Sequence, residues 1–183
     1  MSADTIAKLS GGHPSDKTTV IPNILRFYAE HGPGFGFAAA LLKFGRHFEH
    51  VKHRPTGLSI GPLGQCYKNC TRAMMHFIAD DAPPYFYAEG FALDSELGIP
   101  YEHAWLVDRN GRAIDLTWKK TANAVYYGVT FKPEFLLETM RRTEVYGVLF
   151  NLGIRDRLFS NPDMFATQLC RPGLPGLPRP AIT

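Results

Sequence analysis

Between residues 85 and 131 the chain reads as short runs rich in aromatic and β-branched residues, while the segments on either side carry apolar positions at helical spacing. Residues 24–30 predict a short helix, broken by Gly32-Pro33-Gly34. Residues 37–51 predict a second, with Leu41, Leu42, Phe44 and Phe48 on or near one face. Residues 54–65 are interrupted by proline and glycine and predict a loop. A third helix is expected over 66–79, because Cys66, Cys70, Ala73 or Met74, and Phe77 recur along one buried face. Asp80-Asp81-Ala82-Pro83-Pro84 ends it.

Residues 85–93 predict a strand, with Gly90 as a candidate bulge, and 94–100 a connection. Residues 101–108 and 112–118 predict two further strands around Arg109-Asn110-Gly111, a hairpin signal, and 126–131 another. Residues 133–142 and 161–169 return to helical spacing, the latter opened by Asn161-Pro162 as cap and first-turn proline. A helix followed by three or more antiparallel strands predicts an α+β domain. Its expected limits are 24–170, between a loose arm at 1–23 and an extended, Pro/Gly-rich tail at 171–183.

Composition narrows the picture. A length of 183 residues with 45% hydrophobic and 20% charged residues fits one globular domain with a real core. No apolar run approaches the roughly 18 residues that span a bilayer, and residues 1–12 lack the pattern of a signal peptide. The expectation is therefore no membrane and a cytoplasmic location. A net charge of +3 is too small to argue for nucleic acid. Three cysteines make no disulfide framework, and nothing beside Cys66 and Cys70 completes a zinc pattern, so neither metal nor cofactor is expected. Residues 43–54 interleave basic residues with His47, His50 and His53, and read as a solvated helix face.

A cysteine nucleophile needs a thiolate, a base to generate it and a group to orient that base. Helix N-termini favour the thiolate, because unpaired amides there attract negative charge. Cys66 follows Gly61-Pro62-Leu63-Gly64-Gln65 and so stands at a loop-to-helix junction, with Gly64 permitting close backbone approach. Its own amide is a candidate oxyanion donor. Cys70 lies one turn deeper and reads as core. His103 and Asp115 each fall within a strand-like run, and a carboxylate there requires a partner. A three-residue loop with a left-handed Gly111 pairs Asp108 with Arg112. His103 then faces Thr117, and Asp115 lies diagonally on the same face, about 7–8 Å away between backbones. A two- or four-residue loop puts them on opposite faces.

The succession Gly64-Gln65-Cys66, Tyr87-Ala88-Glu89-Gly90-Phe91-Ala92, His103-Ala104-Trp105 and Ile114-Asp115-Leu116-Thr117-Trp118 resembles the core of the transglutaminase-like superfamily of cysteine proteases. Tyr127-Gly128-Val129 extends the likeness loosely, and Leu116 stands where that family often has proline. The resemblance implies a papain-like fold and a Cys66-His103-Asp115 triad. His103 takes the thiol proton, Asp115 holds the imidazole, and attack on a carbonyl yields a thioester that water or an amine resolves. Gln65 and Asn69 become candidate oxyanion donors, and Gly64, Trp105 and Trp118 candidate substrate contacts. The function implied is a cysteine hydrolase acting on peptide or isopeptide bonds of a protein or peptide substrate. An amine-transferring acyltransferase, or a binding module on the same fold, is the alternative. Oligomeric state is not encoded in any motif.

Overall fold

Residues 17–32, 34–78, 80–94 and 98–173 are described by the computed structural model. Helices α1 (Val20–His31) and α2 (Phe37–Phe44) come first, then strand β1 (Arg46–Phe48) and helix α3 (Cys66–Met74). Strands β2 (Tyr85–Leu93), β3 (Pro100–Asp108), β4 (Ala113–Ile114) and β5 (Val125–Phe131) follow. Helices α4 (Pro133–Thr143), α5 (Arg155–Leu158) and α6 (Pro162–Thr167) and strand β6 (Leu169–Cys170) close the chain. The fold is α+β. Its sheet runs β1-β5-β2-β3-β4, with β6 also paired to β5, and every pairing is antiparallel. No helix among the described residues is long and apolar enough to cross a membrane.

Alternation along the strands sorts the core into two layers. Tyr87, Phe91, Ala104, Leu106, Val129 and Phe131 pack with Leu25, Leu41, Cys70 and Met74 of the helices. Ala88, Ala92, Trp105, Val107 and Tyr126 form a smaller layer with Phe48 and Ala113. Within the larger layer Glu89 is fully buried. It accepts hydrogen bonds from Tyr87 Oη (2.5 Å) and from the amides of Val148 (2.6 Å) and Leu149 (2.8 Å). The carboxylate thereby fastens the 145–153 segment to the sheet. Burial pushes its carboxyl up to about 7, against the hydrogen bonds that favour the anion.

The hairpin has the expected three-residue loop. Gly111 is left-handed (φ 80°), the Asp108 amide donates to Arg112 O (2.9 Å), and Leu106 pairs with Ile114. The strand expected over 112–118 is, however, only two residues long, because the chain turns at Asp115.

Several other expected elements differ. Residues 20–23, expected in a loose arm, begin α1. Pro22 is its third residue, where an amide has no intrahelical partner to lose. Residues 1–16 of the arm lie outside the described residues. The helix expected over 37–51 stops at Phe44, where Gly45 caps it by donating to Leu41 O (2.7 Å). Arg46 to Phe48 then pair with β5, where backbone bonding overrides helical spacing. The basic segment is thus not a solvated helix face. His47 packs against Tyr127, and His50 is bonded to the carbonyls of Val51 and Ala122. Helix α3 ends at Met74 rather than 79, tightening as the Phe77 amide bonds Met74 O (2.9 Å) and Phe77 meets the Tyr85 ring. Helix α6 ends at Thr167, since Leu169 and Cys170 pair with β5. The tail begins packed: Pro172 is buried and its carbonyl accepts from Arg46 (2.8 Å), while residues 174–183 lie outside the described residues.

Gly90 is not a bulge. It sits in unbroken register between His103 on β3 and Gly128 on β5. A Cβ at Gly90 would lie 2.2 Å from Tyr127 O and 2.5 Å from Gly128 Cα. The two glycines let the central strands close up. Gly90→Ala is therefore expected to lower stability by about 2 kcal/mol, within the usual overpacking range, measured by urea denaturation. A change below about 0.5 kcal/mol would show that the strands yield freely at this point.

Candidate active site

Helix α3 begins where Gly64 takes a left-handed φ of 73° and Gln65 an irregular N-cap. The first amides of a helix have no partner four residues back. Cys66 is the first helical residue, so its sulfur stands beside these donors. Cys66, Cys70 and Met74 face the larger core layer, and Cys66 is 7% exposed. It lines a cavity of about 400 Å³, together with Gly64, Tyr67, His103, Thr117 and Trp118.

His103 reaches the sulfur from the open edge of β3. Strand β4 pairs only with Leu106 and Val107, so the earlier half of β3 has no strand neighbour on that side. By alternation His103 shares the face of Trp105, and the two rings stack at 6.5 Å. Trp118 stacks on the imidazole at 4.4 Å and 24°. Nε2 is bonded to Asp115 Oδ2 (2.8 Å), and the Cys66 thiol lies near enough to the ring to favour its charged form.

Asp115 divides its oxygens between two tasks. Oδ1 accepts the amides of Thr117 (2.7 Å) and Trp118 (2.9 Å), bending the chain out of the β4 ladder as an Asx turn does. Oδ2 accepts from His103 and from Tyr126 Oη (2.8 Å). Burial works against its charge, but the bonds from His103 and the two amides hold the carboxyl below the ordinary range. For His103, burial alone would lower the pKa. The hydrogen bonds and charges of Asp115 and Cys66 outweigh it and raise the imidazole to about 9. A histidine proton is thus retained at neutral pH opposite the thiol, the arrangement a thiolate–imidazolium pair requires. Burial drives the Cys70 thiol well above its usual value, and that of Cys170 up to about 11.

The structure brings Cys66, His103, Asp115, Gly64 and Trp118 together, and it separates the remaining candidates. Trp105 is fully buried behind the imidazole, so it is packing rather than a substrate contact. Gln65 is exposed and does not line the cavity on Cys66. Asn69 is not an oxyanion donor either. Its Nδ2 donates to Pro62 O (3.0 Å) and Thr117 Oγ1 (3.0 Å), clamping α3 to the loop before it and to the Asp115 turn. The backbone amides at the start of α3, that of Cys66 first, remain as the candidate oxyanion donors.

Sequence reasoning did not find Tyr126, whose hydroxyl is the second donor to Asp115. Nor did it find Tyr67, Asp94, Tyr101 and Glu102 along the cavity. Tyr126 has no distinguishing local signal; only the register of β5 aims it at the carboxylate. Among the described residues, no group of three His, Cys, Asp or Glu side chains is placed to hold a metal ion. Comparison with protein-family models, with curated proteins and with solved structures gives no match to this chain.

The imidazole of His103 is expected to titrate at about 9 by NMR, against about 6.5 for an ordinary histidine. Asp115→Asn should move that midpoint down by more than about one unit. Because the folded pKa lies above the unfolded one, protonated His103 stabilises the fold fully below pH ~6.5. That contribution disappears as pH rises through about 9. Asp115 acts oppositely, its contribution being present above about pH 4 and lost on further acidification. The stability gap between the wild-type protein and His103→Ala should accordingly narrow between pH 6.5 and 9; a constant gap would contradict the assignment.

Loss of the clamp makes a separate prediction. Asn69→Ala should cost about 1–3 kcal/mol through the partners it leaves unpaired. It should also broaden the His103 resonances, because the Asp115 turn loses its tie to α3. A stability change without any effect on His103 would confine Asn69 to packing.

Proposed function

We propose that the chain is a cysteine hydrolase of papain/transglutaminase-like fold, acting on peptide or isopeptide amide bonds. The observation that carries the reading is that Cys66, at the start of a helix, shares a cavity of about 400 Å³ with His103, whose imidazole is bonded to the buried Asp115. Each neighbouring group has a chemical part. His103 receives the Cys66 proton and holds it as imidazolium. Asp115 keeps Nε2 engaged, so that Nδ1 faces sulfur, and Tyr126 fixes the second lone pair of Oδ2. The sulfur attacks the carbonyl carbon, and the carbonyl oxygen takes negative charge beside the Cys66 amide. His103 then returns its proton to the leaving amine, the C–N bond breaks and a thioester remains on Cys66. Water, deprotonated by His103, attacks the thioester and releases the acid and the free thiol. An amine in place of water gives transfer instead of hydrolysis, with the same residues.

The stacked Trp118 supports this assignment physically. A planar ring against the imidazole face permits in-plane proton movement between sulfur and leaving group while limiting rotation out of line. A structural histidine in a core needs no second donor on its carboxylate and no cavity at its free nitrogen.

Alkylation by iodoacetamide near neutral pH, followed by peptide mapping, tests the reading directly. Cys66 should be modified at least about a hundredfold faster than Cys70 or Cys170, and His103→Ala should slow it by about 10²–10⁴, the range for loss of a catalytic base. Cys66→Ser should abolish thioester formation with little change in stability. Slow, equal labelling of all three cysteines would instead favour a non-catalytic binding module.

A further inference from the structure

The cavity on Cys66 does not end at the helix. Tyr67 and Glu102 line it, and the same two side chains line a second cavity of about 400 Å³. That second cavity extends to Glu89 on one side and to Tyr146, Phe150 and Leu152 on the other. Its far wall is preformed rather than loose. Glu89 fastens the amides of Val148 and Leu149, and Asn151 Nδ2 donates to Gly147 O (3.1 Å) and Thr143 Oγ1 (3.0 Å). The two cavities therefore adjoin across Tyr67 and Glu102 as one groove, with the candidate nucleophile in one compartment and a half-open space in the other.

Apart from His103 in the first compartment, the charged side chains that line this groove are acidic. No lysine or arginine lines either compartment, although the chain as a whole has a net charge of +3. Glu102 stands on the shared wall, on the alternate face of β3 from His103. It is exposed at the mouth of the cavity and, among the described residues, forms no salt bridge. Glu89 adds a second carboxyl at the inner end. Beside them the Tyr67 hydroxyl is buried with no hydrogen-bond partner, an uncommon state for a polar atom in a folded protein. A carboxylate without a counter-ion, an unsatisfied hydroxyl oxygen and a rim of exposed apolar side chains, Val145 (52%) and Leu152 (80%), together match one chemical group. A primary ammonium on an alkyl stem supplies charge for the first, a donor for the second and methylenes for the third.

We propose that the second cavity is the specificity pocket of the enzyme and takes a primary ammonium group of the acyl substrate, either a lysine-type side chain or a free amino terminus. Glu102 provides the counter-charge and Tyr67 Oη accepts one N–H. The inference rests on Cys66 being the nucleophile, and it narrows the substrate class to amides bearing a positive charge close to the scissile carbonyl.

Matched peptidyl electrophiles test it on the full chain. Three probes share one reactive group and differ only in the adjacent side chain: aminobutyl, butyl or carboxyethyl. Each is made with a free and with an acetylated amino terminus, and Cys66 modification is timed by mass. The aminobutyl probe should react roughly tenfold or more faster than the butyl one, the scale of one charge-assisted contact, and the carboxyethyl probe slowest. A preference that survives acetylation identifies the side chain as the source of the ammonium; one that vanishes identifies the terminus. Glu102→Gln should bring the aminobutyl-to-butyl ratio towards one, Tyr67→Phe should lower it in part, and Glu102→Arg should turn the preference to the carboxyethyl probe. Selective iodoacetamide labelling of wild-type Cys66 with equal rates for all three probes would overturn the pocket and leave the nucleophile standing. Failure of iodoacetamide to single out Cys66 would overturn both.

Discussion

Everything distinctive about the site follows from how one buried carboxylate, Asp115, is satisfied. Its two oxygens meet five requirements for direction at once: two backbone amides, an imidazole, a phenol and the exit of the chain from β4. A buried carboxylate with fewer donors would be costly and would pick up a proton. This one stays ionised, and its charge in turn keeps the imidazole of His103 protonated inside the fold. The same Oδ1 bonds that satisfy it also end β4 after Ile114. The truncation matters, because it leaves the first half of β3 without a neighbour on that side, and His103 uses this opening to approach the helix carrying Cys66.

A turn cap and a catalytic orienter are usually competing explanations for an aspartate beside a threonine. Here the two functions are divided between Oδ1 and Oδ2, so one depends on the other: the turn fixes the direction in which Oδ2 points. Asn69 extends the arrangement to the helix, since its amide bridges the loop before Cys66 and the hydroxyl of Thr117. Cys66, His103 and Asp115 lie on three separate segments, and short polar contacts rather than apolar packing set the relative positions of the last two. Apolar packing supplies the frame on which this precision rests, because the two core layers hold the sheet and α3 fixed on either side.

Glu89 shows the same physics at a distance from the proposed chemistry. A carboxyl buried in the larger layer survives there only because a whole loop brings it amide donors. That loop then becomes a rigid wall of the second cavity. Asp115 and Glu89 thus both act as anchors for irregular backbone.

Much of this was legible in the chain itself. The period of apolar residues marks α3 and the central strands, and the Arg109-Asn110-Gly111 loop, with its parity, places His103 and Asp115 on one face. Residue chemistry distinguishes Cys66 from Cys70, because a helix start and a helix interior treat a thiol differently. The elements that went astray share a cause. Arg46 to Phe48 read as helix by spacing and pair with β5 by tertiary contact. Gly90 reads as a bulge and is instead a point where two strands need to be close. Tyr126, Glu102 and Tyr67 carry no local mark, and Asn69 reads as a donor to substrate until its partners are seen. Sequence determined which groups with reactive chemistry exist and which local geometries they favour, since backbone propensity and side-chain period act over a few residues. Only the tertiary structure decided which nitrogen, oxygen or amide meets which, because hydrogen bonds between residues 11 to 60 positions apart depend on register and packing that no local pattern encodes.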